Sequence, residues 1–365
     1  MRLPIPYGPN WYAAVMGTGV ISLAAHSLPF SVPALDALAL LFWLAAAALL
    51  VAIGAVGLRH RIEGGRTGQR VRHQHDPVMA HFCGAPPMAL LTVGTGAMTV
   101  GRPVLGSTLA LGVDAVLWTA GTLLGLWVAV AIPYRAITTH DVGDASATGG
   151  WLMPVVPPLV SATGGAVLVP YLPAGQPRET MLLVCYAFFG LSVLAALLVL
   201  NQLWHRLVRH GVPAPAAVPT VWIVLGFLGQ STTAAQHLGE IAPATVPGYG
   251  HALQMLTLCY GVPAWGFTLL WAALATALTV RQLRDGLPFA PTWWSFTFPI
   301  GTVVTGTAGL AVATGLDLFK VGAGLAMLAL LTGWAAATTG TLRTFLPRRP
   351  TGRLAAPEQV GVPVP

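Results

Sequence analysis

Apolar residues come in ten long runs separated by short polar links, approximately 9–26, 33–58, 77–99, 104–132, 150–169, 180–204, 218–237, 249–280, 291–314 and 321–345. A helix needs about 18 to 20 such residues to cross roughly 30 Å of hydrocarbon, and these runs reach that length. Ten-residue stretches of alternating apolar and polar positions, the mark of a membrane β-barrel, are missing from the sequence. Because lipid satisfies no backbone N–H or C=O, helices are the remaining solution. The pattern predicts an all-α integral membrane protein of ten transmembrane helices.

A second rhythm lies on top of the first. Five of the runs open at Pro9, Pro77, Gly149, Pro219 and Pro291, at intervals of 68 to 72 residues. Each carries helix-weakening residues seven to ten positions in: Gly17 and Gly19, Pro86 and Pro87, Pro157 and Pro158, Gly226 and Gly229, and Pro299. At 1.5 Å per residue this offset sets every predicted break about 10 to 15 Å deep, near the bilayer midplane. An interval of about 70 residues fits one helical hairpin, so the chain reads as five tandem hairpins. Odd helices, bearing the breaks, are expected in an inner ring around a central pore. Even helices such as 180–204, bulky and uniformly aliphatic, are expected against lipid. A broken helix frees backbone polar groups, which are tolerated at membrane depth only inside protein or along an aqueous path. The breaks and the hydroxyls beside them therefore predict pore-lining positions at Gly17, Thr18, Pro86, Pro157, Gly226, Pro299 and Thr302. Residues 1–345 form the transmembrane domain in this reading, and 346–365, rich in Pro and Arg, a disordered cytoplasmic tail.

Charge sets an orientation. Charged residues make up only 8% of the 365, against about 25% in a soluble domain, and mean hydropathy is +0.72. With the amino terminus in the cytoplasm, 15 of the 18 basic residues fall on the inner side, leaving Arg102, Arg178 and Lys320 outside. The positive-inside rule thus puts both termini in the cytoplasm and accounts for the net charge of +7. The link from 59 to 76, with five Arg and three His, is expected near lipid headgroups, and Asp76 before Pro77 as a helix cap. No soluble segment is long enough to bind a nucleic acid.

Enzyme chemistry finds no footing. The ten His never pair with Glu or Cys at metal-ligand spacing, and Cys83, Cys185 and Cys259 stand singly on different helices. The reading carries no catalytic residue, no metal and no cofactor.

The strings Trp293-Trp294-Ser295-Phe296-Thr297-Phe298-Pro299, Met16-Gly17-Thr18-Gly19 and Trp151-Leu152-Met153-Pro154-Val155-Val156-Pro157-Pro158 resemble the tellurite-resistance/dicarboxylate transporter family. That family includes the yeast malate permease, the fungal sulfite exporter and the slow-type anion channels of plant guard cells. The resemblance covers about residues 7 to 345. It implies a homotrimer, each protomer having five hairpins and its own pore for small anions. It also implies that Phe298, just before the Pro of the ninth-helix string, plugs the pore, with Gly17 facing it. A Phe at a midplane break acts chemically as a hydrophobic constriction.

The odd helices have no Lys, Arg, Asp or Glu in their central halves, so an anion would meet no fixed countercharge and a cation no fixed acid. Selection would rest on diameter, helix-end dipoles and hydroxyls such as Thr18, Ser161, Thr163, Ser231, Thr302 and Thr305. Small monovalent anions, sulfite and C4-dicarboxylates fit, and channel and proton-coupled carrier both remain open. His81, one turn into the third segment, is the candidate proton-linked group, while His237 and His251 lie near the outer side. Asp114 is expected to hydrogen-bond a neighbouring helix or protomer.

Overall fold

The apolar runs fold into helices because burial in lipid leaves no other way to pair their backbone groups. The computed structural model describes residues 8–30, 32–62, 77–139 and 142–345, so Asp76, most of the Arg-rich link and the tail from 346 lie outside the described residues. Ten helices of 12 residues or more follow in order: α1 (Tyr12–Ser27), α2 (Pro33–Ile62), α3 (Ala85–Thr99), α4 (Ser107–Thr138), α5 (Pro157–Leu168), α6 (Gln176–His210), α7 (Ile223–Thr245), α8 (Gly250–Arg284), α9 (Phe298–Thr314) and α10 (Asp317–Phe345). No strand occurs among the described residues.

Each odd helix packs against the even helix that follows it, giving five hairpins. The odd helices also pack on one another in sequence, α1 on α3, α3 on α5, α5 on α7, α7 on α9, and α9 back on α1. The inner ring is therefore closed. Each even helix leans from its own odd partner onto the next: α2 on α3, α4 on α5, α6 on α7, α8 on α9, and α10 on α1.

Tryptophan fixes four of these five joints. The indole N–H of Trp43 on α2 donates to Val93 O on α3 at 3.1 Å, and that of Trp118 on α4 to Ser161 O on α5 at 2.8 Å. Trp265 on α8 donates to Thr307 Oγ1 on α9, and Trp334 on α10 to Thr18 Oγ1 on α1, each at 3.1 Å. An indole suits this place because its body packs against apolar neighbours while its one polar atom finds an acceptor.

Composition separates the two rings. Among the described residues six helices are long and apolar enough to cross a membrane: all five even ones and the stretch Pro291–Thr314. In the even helices 17–28% of the most apolar stretch is buried, against 67% in Pro291–Thr314. Val51, Val130 and Leu198, on three even helices, are 71%, 72% and 73% exposed, which suits a lipid-facing surface and no aqueous one.

The breaks differ in part from the sequence expectation. All five odd segments pass through 3-10 turns, at Pro9–Trp11, Phe82–Gly84, Gly149–Leu152, Pro215–Trp222 and Pro291–Phe296, before continuing as α-helix, and in the segment leading to α3 a short α-helix, Pro77–His81, comes before the turn. At Pro86, Pro157 and Pro299 the proline occupies the first or second helical position, where its missing N–H removes no hydrogen bond. At Gly17, Gly19, Gly226 and Gly229, where breaks were expected, α1 and α7 run straight through. A glycine costs a helix only about 1 kcal/mol relative to alanine, and here the cost is offset by close approach between helices. A Cβ on Gly19 would lie 2.8 Å from Thr92, and one on Gly229 would lie 2.5 Å from the α9 backbone at Thr302.

Candidate functional site

The ring encloses two cavities in line, one on either side of Phe298. The smaller, ≈ 30 Å³, lies toward the 3-10 turns and is bordered by Met16, Phe82, Met88, Met153, Val156, Phe227 and Trp294, among others. The larger, ≈ 290 Å³, opens toward the far ends of the odd helices. All five odd helices contribute to it: Val20, Leu23, His26 and Ser27 from α1, Thr92, Thr95 and Thr99 from α3, Val160 and Thr163 from α5, Gln230, Thr233 and His237 from α7, and Phe298 and Thr305 from α9. Phe298 borders both cavities and is 5% exposed, so its ring stands between them.

Local backbone explains how Phe298 comes to sit there. The turn Pro291–Phe296 ends at Thr297, whose φ of −103° and ψ of −80° lie off the helix, and α9 starts with Phe298 and Pro299. Thr297 Oγ1 donates to Trp294 O at 2.6 Å, and Trp294 is itself held by its N–H to Thr341 Oγ1 of α10 at 3.1 Å. α1, α3, α5 and α7 likewise start beside the small cavity, near Ala13, Met88, Val156 and Ile223. The N-termini of all five odd helices, with their partial positive charge, thus lie near the small cavity. Among the described residues no Lys, Arg, Asp or Glu borders either cavity.

The polar lining of the larger cavity is largely self-engaged. Thr92 donates to Met88 O at 2.7 Å, Thr99 to Thr95 O at 2.9 Å, and Thr233 to Gly229 O at 3.0 Å, with Thr305 a further 2.7 Å from Thr233. Thr163 donates to Leu159 O at 3.3 Å and accepts from Gln230 Nε2 at 2.7 Å. Such bonds occupy the hydroxyl protons and leave oxygen lone pairs for further partners.

The sequence-derived positions separate into two groups. Phe298, Gly226 and Pro299 border a cavity. Gly17 packs against Thr297 and Trp294, so it sits beside the turn that presents Phe298. Thr18 faces α10 through Trp334. Pro157 packs against Gly125 of α4, and Pro86 is half-buried. Thr302 donates to Pro299 O at 2.8 Å and lies at the α7–α9 joint, where a Cβ on Gly229 would meet it. His81, buried, stacks on Trp151 with ring centroids 5.5 Å apart and planes 5° from parallel, and borders neither cavity. Asp114 is fully buried where α4 meets Gly94 of α3, and neither carboxylate oxygen has a hydrogen-bond partner among the described residues.

Several lining residues were not singled out from sequence: His26, Thr92, Thr95, Thr99, Gln230 and Thr233. Their spacing held the clue. Thr92, Thr95 and Thr99, like Gln230, Thr233 and His237, fall at i, i+3 and i+7, one stripe of an otherwise apolar helix.

A closed ring of helices whose polar stripes face an internal cavity is the architecture of a membrane channel or transporter for small solutes. The chain belongs to the voltage-dependent anion channel (SLAC1) family, which it matches over residues 6–342. It is 26% identical over 332 residues to the sulfite efflux pump SSU1 of Trichophyton rubrum, covering 86% of this chain and 84% of that one. It is 27% identical over 301 residues to an uncharacterized transporter of Methanocaldococcus jannaschii, covering 81% of each. The protein is accordingly a multi-pass membrane protein that carries small anions, and not an enzyme.

Proposed function

We propose that the protein passes small anions across a cell inner or plasma membrane through the lumen of each protomer, with Phe298 as the gate. The observation that carries this reading is the position of Phe298 between the two cavities. An apolar ring across a narrow lumen blocks water and ions until it changes rotamer, and the helix N-termini beside it favour negative charge. With no fixed cation along the path, monovalent anions, sulfite and C4-dicarboxylates are all substrates of the right kind. Both termini lie in the cytoplasm, so the larger cavity opens outward, and three copies assemble side by side.

The test is anion current from purified protein in bilayers, wild type against Phe298→Ala, with chloride, nitrate, sulfite and malate at equal driving force. Phe298→Ala should raise the current about tenfold or more, because a dewetting barrier of about 1.4 kcal/mol is already a factor of ten. An unchanged current in a folded variant would sink the gate. The sulfite efflux pumps among the relatives favour sulfite as a substrate, and the second reading is a proton-coupled sulfite or malate carrier. In that case neither protein conducts, labelled sulfite uptake saturates and follows the proton gradient, and His81 is the next residue to change.

A further inference from the structure

Three features of the larger cavity go unused in that account: an amide, Gln230, deep in the lumen, and two imidazoles, His26 and His237, toward its open end. His26 is in the last turn of α1 and exposed, while His237 is half-buried on α7, two turns beyond Gln230. The hydroxyls of Thr92, Thr99 and Thr233 donate back to their own helices, and Thr305 pairs with Thr233, which leaves Thr95 as the one cavity threonine whose hydroxyl makes no such bond among the described residues. Protons free to point at an anion therefore come from nitrogen and from Thr95. A primary amide has two N–H bonds, of which Gln230 gives one to Thr163. An imidazole has one when neutral and two, with a positive charge, when protonated.

The charges around the two imidazoles are few. α3, α5 and α9 carry no titratable side chain. At the same end α2 brings Asp36, the link after α3 brings Arg102, which donates to Tyr171 and Ser107, α6 brings Arg178 and Glu179, α8 brings His251, and α10 brings the Asp317–Lys320 pair at 2.8 Å. Arg178 is occupied by Pro170 O and Leu172 O. Glu240, the next polar position along α7, is the carboxylate whose field reaches His237.

We propose that His26, His237 and Gln230 form an anion-loading site in the larger cavity, switched on by protons from the side to which that cavity opens, for small oxyanions such as nitrate or hydrogensulfite. The site rests on the reading of the lumen as the anion path and adds what that path otherwise lacks, a positive charge that appears only in acid. Each imidazole takes one proton at Nδ1 or Nε2, and no other bond changes. Gln230 then supplies a fixed neutral donor one step closer to Phe298.

Nitrate is the probe of choice because it does not itself titrate in this range. For any one protein inserted in a planar bilayer, acidifying one chamber from about pH 8 to about pH 5.5 should raise nitrate current roughly threefold to tenfold, and acidifying the other should not. The double variant His26→Gln, His237→Gln should lose that response. The same response in the double variant, or a response from both chambers, overturns the proposal. A second readout needs neither conduction nor a variant. On the wild type at about pH 6.5, nitrate should slow diethylpyrocarbonate modification of His26 and His237, read by mass spectrometry, and leave the exposed His205 and His210 unaffected. Protection without conduction would keep the site and remove the channel reading. Conduction with neither acid response nor protection removes the site alone.

Discussion

Gly17 and Gly226 lie at similar depths in α1 and α7, yet their surroundings predict opposite outcomes for the same substitution. A methyl on Gly17 would meet Thr297 Oγ1 and come within 3.0 Å of Trp294, and both neighbours are tied by hydrogen bonds. Gly17→Ala should therefore destabilise by about 1–3 kcal/mol and displace the turn before Phe298. A methyl on Gly226 would sit 3.4 Å from Pro299, an ordinary contact, and alanine gains up to about 1 kcal/mol in helix propensity. Thermal unfolding of the two variants side by side checks this, and equal midpoints would refute the packing argument. The same contrast shows what could be read from single residues beforehand. Pro299 stood out because a proline weakens a helix, and Phe298 because the string around it resembles a family motif. The threonines of α3 and Gln230 did not, because a lone hydroxyl in a membrane helix commonly bonds its own backbone, and only a stripe of them identifies a lumen.

Between elements, the recurrent bond is an indole reaching from an even helix to the next odd one. Trp334→Phe removes the donor to Thr18 while keeping most of the apolar contact, and should lower stability by roughly 1 kcal/mol. Thr18→Val should cost a similar amount, and the pair together little more than either alone, since both remove one bond. Additive losses would show that Trp334 and Thr18 act separately. The hairpin interval and helix lengths were legible because lipid thickness fixes how many apolar residues a span requires. The position of the breaks in α1 and α7 was not. Glycine weakens a helix and also permits close packing, and only the neighbouring Thr297, Thr92, Pro299 and Thr302 decide which effect prevails.

For the whole molecule, the distribution of Arg and the exposed aliphatic faces lead to two expectations. A C-terminal fusion to green fluorescent protein should fluoresce and one to alkaline phosphatase stay inactive, since both ends are proposed to be cytoplasmic. The reverse result inverts the direction in which the larger cavity opens. Light scattering of the detergent-solubilised protein should give three copies per particle, and a monomer would remove the proposed trimer. Two rings of helices were legible from composition, because even helices read as uniformly aliphatic while odd ones mix Gly, Pro and hydroxyls. An inner ring was expected from five breaks at one depth, but the contacts that close it, α9 and α10 on α1, were not legible in the sequence.

That closure bears on how the protein is made. The bond from Trp334 to Thr18 joins residues 316 positions apart. During synthesis from the amino terminus, each hairpin can enter the bilayer as it emerges, but the first helix must wait beside lipid or its own hairpin until the fifth arrives. A nascent chain consequently has no lumen, and cannot leak, until its final helix is in place.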